Sequence, residues 1–422
     1  MLLRQWFEMY DCAFIRRGQI SQCLQRNVMN VGTWVCIDER VKARSLFHLL
    51  SDRTGKHRSR NSSLLILQRN HATHRQLTSP RERRRRTEKA LQSLQRMDSE
   101  EQAGDFYEKT VRLPSGQELF VRLAGLAQRS SGAPVIVLIH GLGGTAREWA
   151  AVQRQVARFA CVVLPERAGY QSSAPPIAPP TPEAIACDLR TLLRAAELNP
   201  PYLLVGHSYG GVLASQFLRD YPDTVAGMVL IDSVPVVRRV PAVFTKLMGD
   251  ATYGQLTGLD NNIGIDRAEY QTILTESDLN ERPDAIAEQE LQLMSPANEE
   301  LRDYLFAQET ILGQRPLNVI FCDESNDFKK IYEYGVRHGH GTNEEQEAIR
   351  QHLQTMSALD EAAQREQLAL SHNANFVTTG GARATHNVHV VDPEWVAGQI
   401  KGVFDQAKAS CSPDAENFTI SS

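Results

Sequence analysis

From about residue 106 onward, short uninterrupted apolar runs alternate with longer stretches of helical spacing. Val135–Ile139, Cys161–Leu164, Tyr202–Val205, Met228–Ile231 and Pro316–Phe321 are such runs, and several are dominated by Val, Ile and Leu. Runs of this kind predict parallel strands covered on both faces. Between them, Arg147–Phe159 and Thr181–Leu198 have the spacing of helices, and Val212–Leu218 reads as a helix directly behind one strand. The alternation predicts an α/β domain built on a doubly wound, mostly parallel sheet. Ahead of it, Tyr107–Leu113 and Gln117–Leu123, joined by Pro114-Ser115-Gly116, predict an opening hairpin. Asn375–Thr379 reads as a last strand and Pro393–Lys408 as a closing amphipathic helix.

The pattern changes in three places. Val234–Arg315 becomes polar and helix-forming, with breaks at Gly249, Gly254, Gly258 and Asn261-Asn262, which predicts a helical cap inserted over about residues 234–315 of a domain spanning 106–408. A second polar, helix-forming stretch runs on to Leu370. Residues 1–105 read as a basic extension, poorly ordered or partly helical with a helix over Thr87–Gln102, and residues 409–422 as a disordered tail.

Charge sharpens this division. The net charge is −4, but residues 1–100 carry 20 Lys and Arg against 9 Asp and Glu, so the extension is basic and the domain acidic. Arg81-Glu82-Arg83-Arg84-Arg85-Arg86 has no interleaved aromatic residues, so it reads as a solvated lead into a helix and no nucleic-acid partner is expected. No apolar run approaches the ~18–20 residues of a membrane span, and a secretory h-region is missing. A soluble, cytoplasmic protein is expected; Arg4, Arg16, Arg17 and Arg26 suggest an organellar leader, against which Glu8 and Asp11 count. The seven cysteines are scattered without Cys-x-x-Cys spacing, which predicts free thiols and no zinc site. His338-Gly339-His340 has no partnering carboxylate pattern and reads as an exposed loop.

The chemistry concentrates in Gly206-His207-Ser208-Tyr209-Gly210-Gly211, where an apolar strand meets a Gly-x-Ser-x-Gly turn and then a helix. This is the order a nucleophile elbow requires: the serine sits in a strained turn, and glycines leave room for the strand and helix to cross closely. Ser208 is the candidate nucleophile, and its hydroxyl needs a base to take its proton during attack. His140-Gly141-Leu142-Gly143-Gly144 closes an earlier strand, and with no following Gly-Lys-Ser/Thr it is not a phosphate loop.

Taken in order, these two segments, Glu166-Arg167-Ala168-Gly169-Tyr170, Val229-Leu230-Ile231-Asp232-Ser233 and His386-Asn387-Val388-His389 resemble the serial landmarks of α/β-hydrolase-fold enzymes, across residues 107–408. The resemblance implies a serine hydrolase that cleaves a carboxylic ester through an acyl-enzyme intermediate, on a small-molecule ester or acyl substrate, with no cofactor and no metal. It assigns an oxyanion hole to the backbone N–H groups of Leu142 and Tyr209. It points to His386 as the base, seven positions before Pro393, ahead of His389, which reads as structural in Val-His-Val. Most relatives carry the acid after the penultimate strand, but Phe321-Cys322-Asp323-Glu324-Ser325 lacks the usual Gly-x-x-Asp; a minority carry it one strand earlier, where Asp232 stands. Asp232 is therefore the expected acid, with Asp323 and Asp327 as alternatives. Epoxide hydrolases and haloalkane dehalogenases carry aspartate where this chain has Ser208. A cofactor-free perhydrolase or C–C hydrolase would use the same triad, and a non-catalytic ligand-binding protein is the alternative outside enzymes.

Overall fold

The structure is a computed structural model that describes residues 106–234, 243–279, 281–307 and 310–411. The predicted helix over 87–102, the rest of the 1–105 extension and residues 412–422 lie outside the described residues. Eight strands form one sheet: β1 (Tyr107–Arg112), β2 (Glu118–Ala124), β3 (Val135–Ile139), β4 (Val162–Pro165), β5 (Tyr202–His207), β6 (Val225–Ile231), β7 (Leu317–Phe321) and β8 (Ala374–Thr378). Their spatial order is β1-β2-β4-β3-β5-β6-β7-β8. The first two strands form the antiparallel hairpin, β2 pairs antiparallel with β4, and every pairing from β4 through β3 to β8 is parallel.

The uninterrupted apolar runs are explained by what covers them. Alternate residues of each central strand enter opposite layers. Val135, Val137, Ile139, Leu204, Met228 and Leu230 face one layer, with α2 (Pro182–Ala195) and α3 (Tyr209–Asp220). Ile136, Leu138, Leu203, Val205, Val229 and Ile231 face the other, with α1 (Ala150–Val156) and α11 (Pro393–Ser410). Each fully buried side chain of this size contributes roughly 1.5–3 kcal/mol. The helix starts are also encoded locally: Thr181 accepts from the Ala184 N–H ahead of Pro182, and Asp392 accepts from Trp395 N–H ahead of Pro393.

Between β6 and β7 lie α4 (Val243–Met248), α5 (Tyr253–Thr257), α6 (Arg267–Leu279) and α7 (Glu281–Ala307). The polar stretch after β7 folds as α8 (Ser325–His338) and α9 (Asn343–Glu366), the latter opened by a Thr342–Glu345 capping box. A third apolar cluster, including Phe244, Leu247, Phe328 and Ile349, joins α4, α8 and α9. One local expectation changes. His338 ends α8 and His340, half-buried, bonds Leu247 O through Nδ1, so of the two histidines only His338 is exposed. Val388–Val391 is a single helical turn, α10.

Candidate active site

At the end of β5 the backbone turns so sharply that Ser208 has φ 52° and ψ −126°, a left-handed-side conformation that costs a non-glycine residue about 1–3 kcal/mol. The strand and helix cross so closely that a Cβ on Gly206 would stand 2.4 Å from Gly210 O, and one on Gly210 would stand 2.1 Å from Ile139 O. Only glycine fits either position. The turn is pinned by Ser208 N–H donating to Ile231 O at 2.9 Å and Gly211 N–H donating to Ser208 O at 2.9 Å. Because carbonyl and N–H of a trans peptide point in opposite directions, the second bond turns the Tyr209 N–H away from the helix.

The same peptide geometry orients the loop after β3. Arg167 donates to His140 O at 2.7 Å and to Gly141 O at 2.9 Å, so the Leu142 N–H faces away from the guanidinium. Gly141 lies against the turn that holds Ser208, where a Cβ would stand 3.2 Å from Ser208 Cβ. Neither the Leu142 nor the Tyr209 N–H has a hydrogen-bond partner among the described residues. Arg167 is in turn held by Glu290 on α7, with bonds of 2.8 and 3.1 Å, and Tyr170 OH donates to the same carboxylate at 2.6 Å while accepting from Gly143 N–H. Glu166 braces the far side of the loop by accepting from Ala146 N–H at 2.8 Å.

Asp232 and His386 meet directly. The imidazole Nδ1 stands 2.7 Å from Asp232 Oδ2, a bond that fixes the proton on Nδ1 and leaves Nε2 as the basic nitrogen. Asp232 is buried at the end of β6, and its Oδ1 accepts from Gln364 Nε2 at 2.9 Å and from Cys322 N–H at 3.4 Å. His386 is held on its other side by its own carbonyl, which accepts from His207 Nε2 at 2.8 Å, so the residue preceding Ser208 touches the imidazole-bearing residue. Asp323 accepts from Ser325, and Asp327 accepts from Tyr253 at 2.8 Å and Thr385 at 2.6 Å; among the described contacts neither hydrogen-bonds His386. His389 is buried, stacked on Trp149 with ring centroids 4.7 Å apart.

Two features escape the sequence reading. Glu324, immediately before α8, places Oε2 3.4 Å from His386 Nδ1, so two carboxylates face one imidazole. Gln364 comes from a helix 132 residues away in sequence. Burial alone would lower the His386 pKa, but Asp232 and Glu324 hold it up to about 9; Glu324 is itself pushed up to about 8, by burial first and with Asp232 adding to it. Burial lowers His207 and His389, which stay neutral.

Asp232, Glu324 and His386 are also, among the described residues, the group whose ligand atoms lie within 4.8 Å of one another. The 2.7 Å Nδ1–Oδ2 separation is a hydrogen bond, shorter than the ~3 Å between neighbouring ligands of an ion bound at ~2.1 Å, so the arrangement fits acid–base work better than a metal. A largely apolar cavity of about 230 Å³ is lined by Leu119, Ile177, Leu189 and Leu213, with Arg167 and Glu290 in its wall, but not by Ser208 or His386. No helix among the described residues is long and apolar enough to cross a membrane.

A sequence model of the alpha/beta hydrolase fold matches residues 134–264, from the residue before β3 to the segment after β6. An AB hydrolase superfamily protein of Gibberella zeae is 27% identical over 301 residues, covering 68% of this chain and 91% of that protein. A fluoroacetate dehalogenase of Burkholderia is 31% identical over 107 residues, covering 24% of this chain and 35% of that protein. Among solved structures, a bacterial membrane phospholipase A superposes with a TM-score of 0.50 at 17% identity, covering 87% of this chain and 99% of that one, a likeness of fold alone. The chain has the alpha/beta hydrolase fold, to which the match over residues 134–264 and the order of the sheet both point.

Proposed function

We propose that this α/β hydrolase is a serine esterase that cleaves small-molecule carboxylic esters through an acyl-enzyme intermediate, with Ser208 as nucleophile, His386 as general base and Asp232 as the acid. The observation that carries the reading is the 2.7 Å bond from His386 Nδ1 to Asp232 Oδ2, with the His386 carbonyl bonded to His207, the residue before the strained Ser208. Dehalogenase and epoxide-hydrolase chemistry is disfavoured because its nucleophile is a carboxylate, and a serine stands at this elbow.

In the proposed reaction Ser208 Oγ attacks the ester carbonyl carbon while His386 Nε2 takes its proton. The carbonyl oxygen gains negative charge, and the N–H groups of Leu142 and Tyr209 meet it, each worth about 3 kcal/mol in a water-poor site. Asp232 stays ionised and stabilises the imidazolium. Collapse expels the alcohol, which takes the proton from Nε2; the oxygen of an entering water then attacks the acyl carbon as Nε2 takes its proton, and the second collapse breaks the bond to Ser208 Oγ, which takes that proton back as the acid leaves. No cofactor enters any step. Arg167 serves the reaction by fixing the carbonyls of His140 and Gly141, and hence the direction of the Leu142 N–H.

A fluorophosphonate probe tests this reading. Folded protein should be labelled, and Ser208→Ala should abolish the label; folded wild type that resists labelling contradicts it and favours a ligand-binding role.

A further inference from the structure

We propose that Glu324 is a positioning residue for His386: it shares the Nδ1 face of the imidazole with Asp232, sets the pH at which His386 becomes a base, and acts as a reserve acid when Asp232 is neutralised. The inference rests on the serine-esterase reading for its kinetic half and on geometry alone for the other. Glu324 Oε2 is 3.4 Å from Nδ1, against 2.7 Å for Asp232 Oδ2, and the side chains of His386 and Glu324 are 19% and 21% exposed, so water screens the contact only in part. The two carboxylates arrive from the ends of neighbouring strands, Asp232 after β6 and Glu324 three residues after the last residue of β7. The imidazole thus has an acidic partner from each of two adjacent strand ends.

Among the groups facing the imidazole, Glu324 is the second acidic partner after Asp232. His386 is faced by Asp232, Glu324 and Asp327, and also by the neutral rings of His207 and His389. Glu324 is faced by His386, Asp232, Asp327 and Asp360. Asp327 is already engaged by Tyr253, Thr385 and Lys330, whereas the Glu324 carboxylate, among the described residues, pairs with His386. Burial raises Glu324 and the two carboxylates raise His386, so the pair titrates over neighbouring pH ranges and charge on Glu324 favours the imidazolium. A carboxylate at this range raises an imidazole by ~1–3 pKa units.

The experiment combines ester kinetics with a titration that needs no turnover. In full-length protein the His386 ring is followed by NMR against pH, assigned by its absence in His386→Asn, for wild type, Glu324→Gln and Glu324→Asp. The midpoint should fall by about one unit or more in Glu324→Gln and stay closer to wild type in Glu324→Asp, which retains the charge. The rising limb of kcat/KM for a p-nitrophenyl ester should move to lower pH by the same amount. Asp232→Asn should keep a residual rate that Asp232→Asn/Glu324→Gln loses by a further tenfold or more. A Glu324→Gln titration that superimposes on wild type overturns the proposal, as does a double variant no slower than Asp232→Asn. A titration that shifts in a protein inactive on every ester leaves Glu324 as partner of His386 and rejects the esterase reading instead.

Discussion

Replacing Glu290 by leucine should both destabilise the protein and slow the chemistry, because this one residue of α7 ties the helices between β6 and β7 to the loop after β3. Its carboxylate is fully buried and takes two bonds from Arg167 and one from Tyr170. Removing it strands a guanidinium that is only 7% exposed. Loss of one member of a buried ion pair costs about 3–5 kcal/mol. The lower figure applies here, since Arg167 keeps its bonds to His140 O and Gly141 O. With a urea dependence of ~3 kcal/mol per molar, the midpoint should fall by about 1 M. Glu290→Gln keeps the shape and some hydrogen bonds and should lose about half as much. Arg167→Met/Glu290→Leu, with no stranded charge, should be more stable than Glu290→Leu alone. The turnover number should also fall, by about tenfold or more, since the Leu142 N–H is aimed through Arg167. Urea unfolding of the four proteins followed by tryptophan fluorescence reads the energies. A Glu290→Leu protein that unfolds with wild type would refute the reasoning.

The same geometry fixes other outcomes. Gly210→Ala must push a methyl into the Ile139 carbonyl, 2.1 Å from where it would stand, and should unfold the domain or yield insoluble protein on expression, whereas the equally small change Gly402→Ala, with open space around it, should leave solubility unchanged. Ester hydrolysis should rise with pH toward about 9, because His386 accepts a proton only after losing its own; a kcat/KM profile flat from pH 6 to 9 contradicts this. Both raised groups bind protons more tightly folded than unfolded, so stability from this cluster is fully present at low pH, declines above about 4.5 through Glu324, and is lost as pH rises through about 9 for His386. Urea midpoints at pH 6 and pH 9 should therefore differ more in wild type than in Glu324→Gln.

Much of this arrangement was legible in the sequence because it depends on local signals. Buried parallel strands need apolar residues on both faces, and Val135–Ile139 or Met228–Ile231 cannot be read as anything solvated. The elbow is written as two glycines flanking a serine, since no other residue survives the crossing of β5 and α3. The missing glycine before Asp323 directed attention to Asp232, and Asp232 is the residue bonded to His386. What stayed hidden was supplied from a distance. Glu290 and Gln364 are single polar residues in helices that are polar throughout, and only tertiary contact distinguishes them from solvated neighbours. Glu324 stood within the segment considered, but its adjacency to the imidazole depends on how the turn after β7 aims it, which no periodicity records. His340 read as exposed for the same reason: Leu247, whose carbonyl it bonds, lies 93 residues upstream.

The most direct test of the central claim is the turnover of a short-chain p-nitrophenyl ester by wild type, Ser208→Ala, His386→Ala, Asp232→Asn and Asp323→Asn. The account predicts measurable hydrolysis by wild type and Asp323→Asn, none above background in Ser208→Ala and His386→Ala, and a loss of at least about a hundredfold in Asp232→Asn. Hydrolysis that survives in folded Ser208→Ala would contradict it.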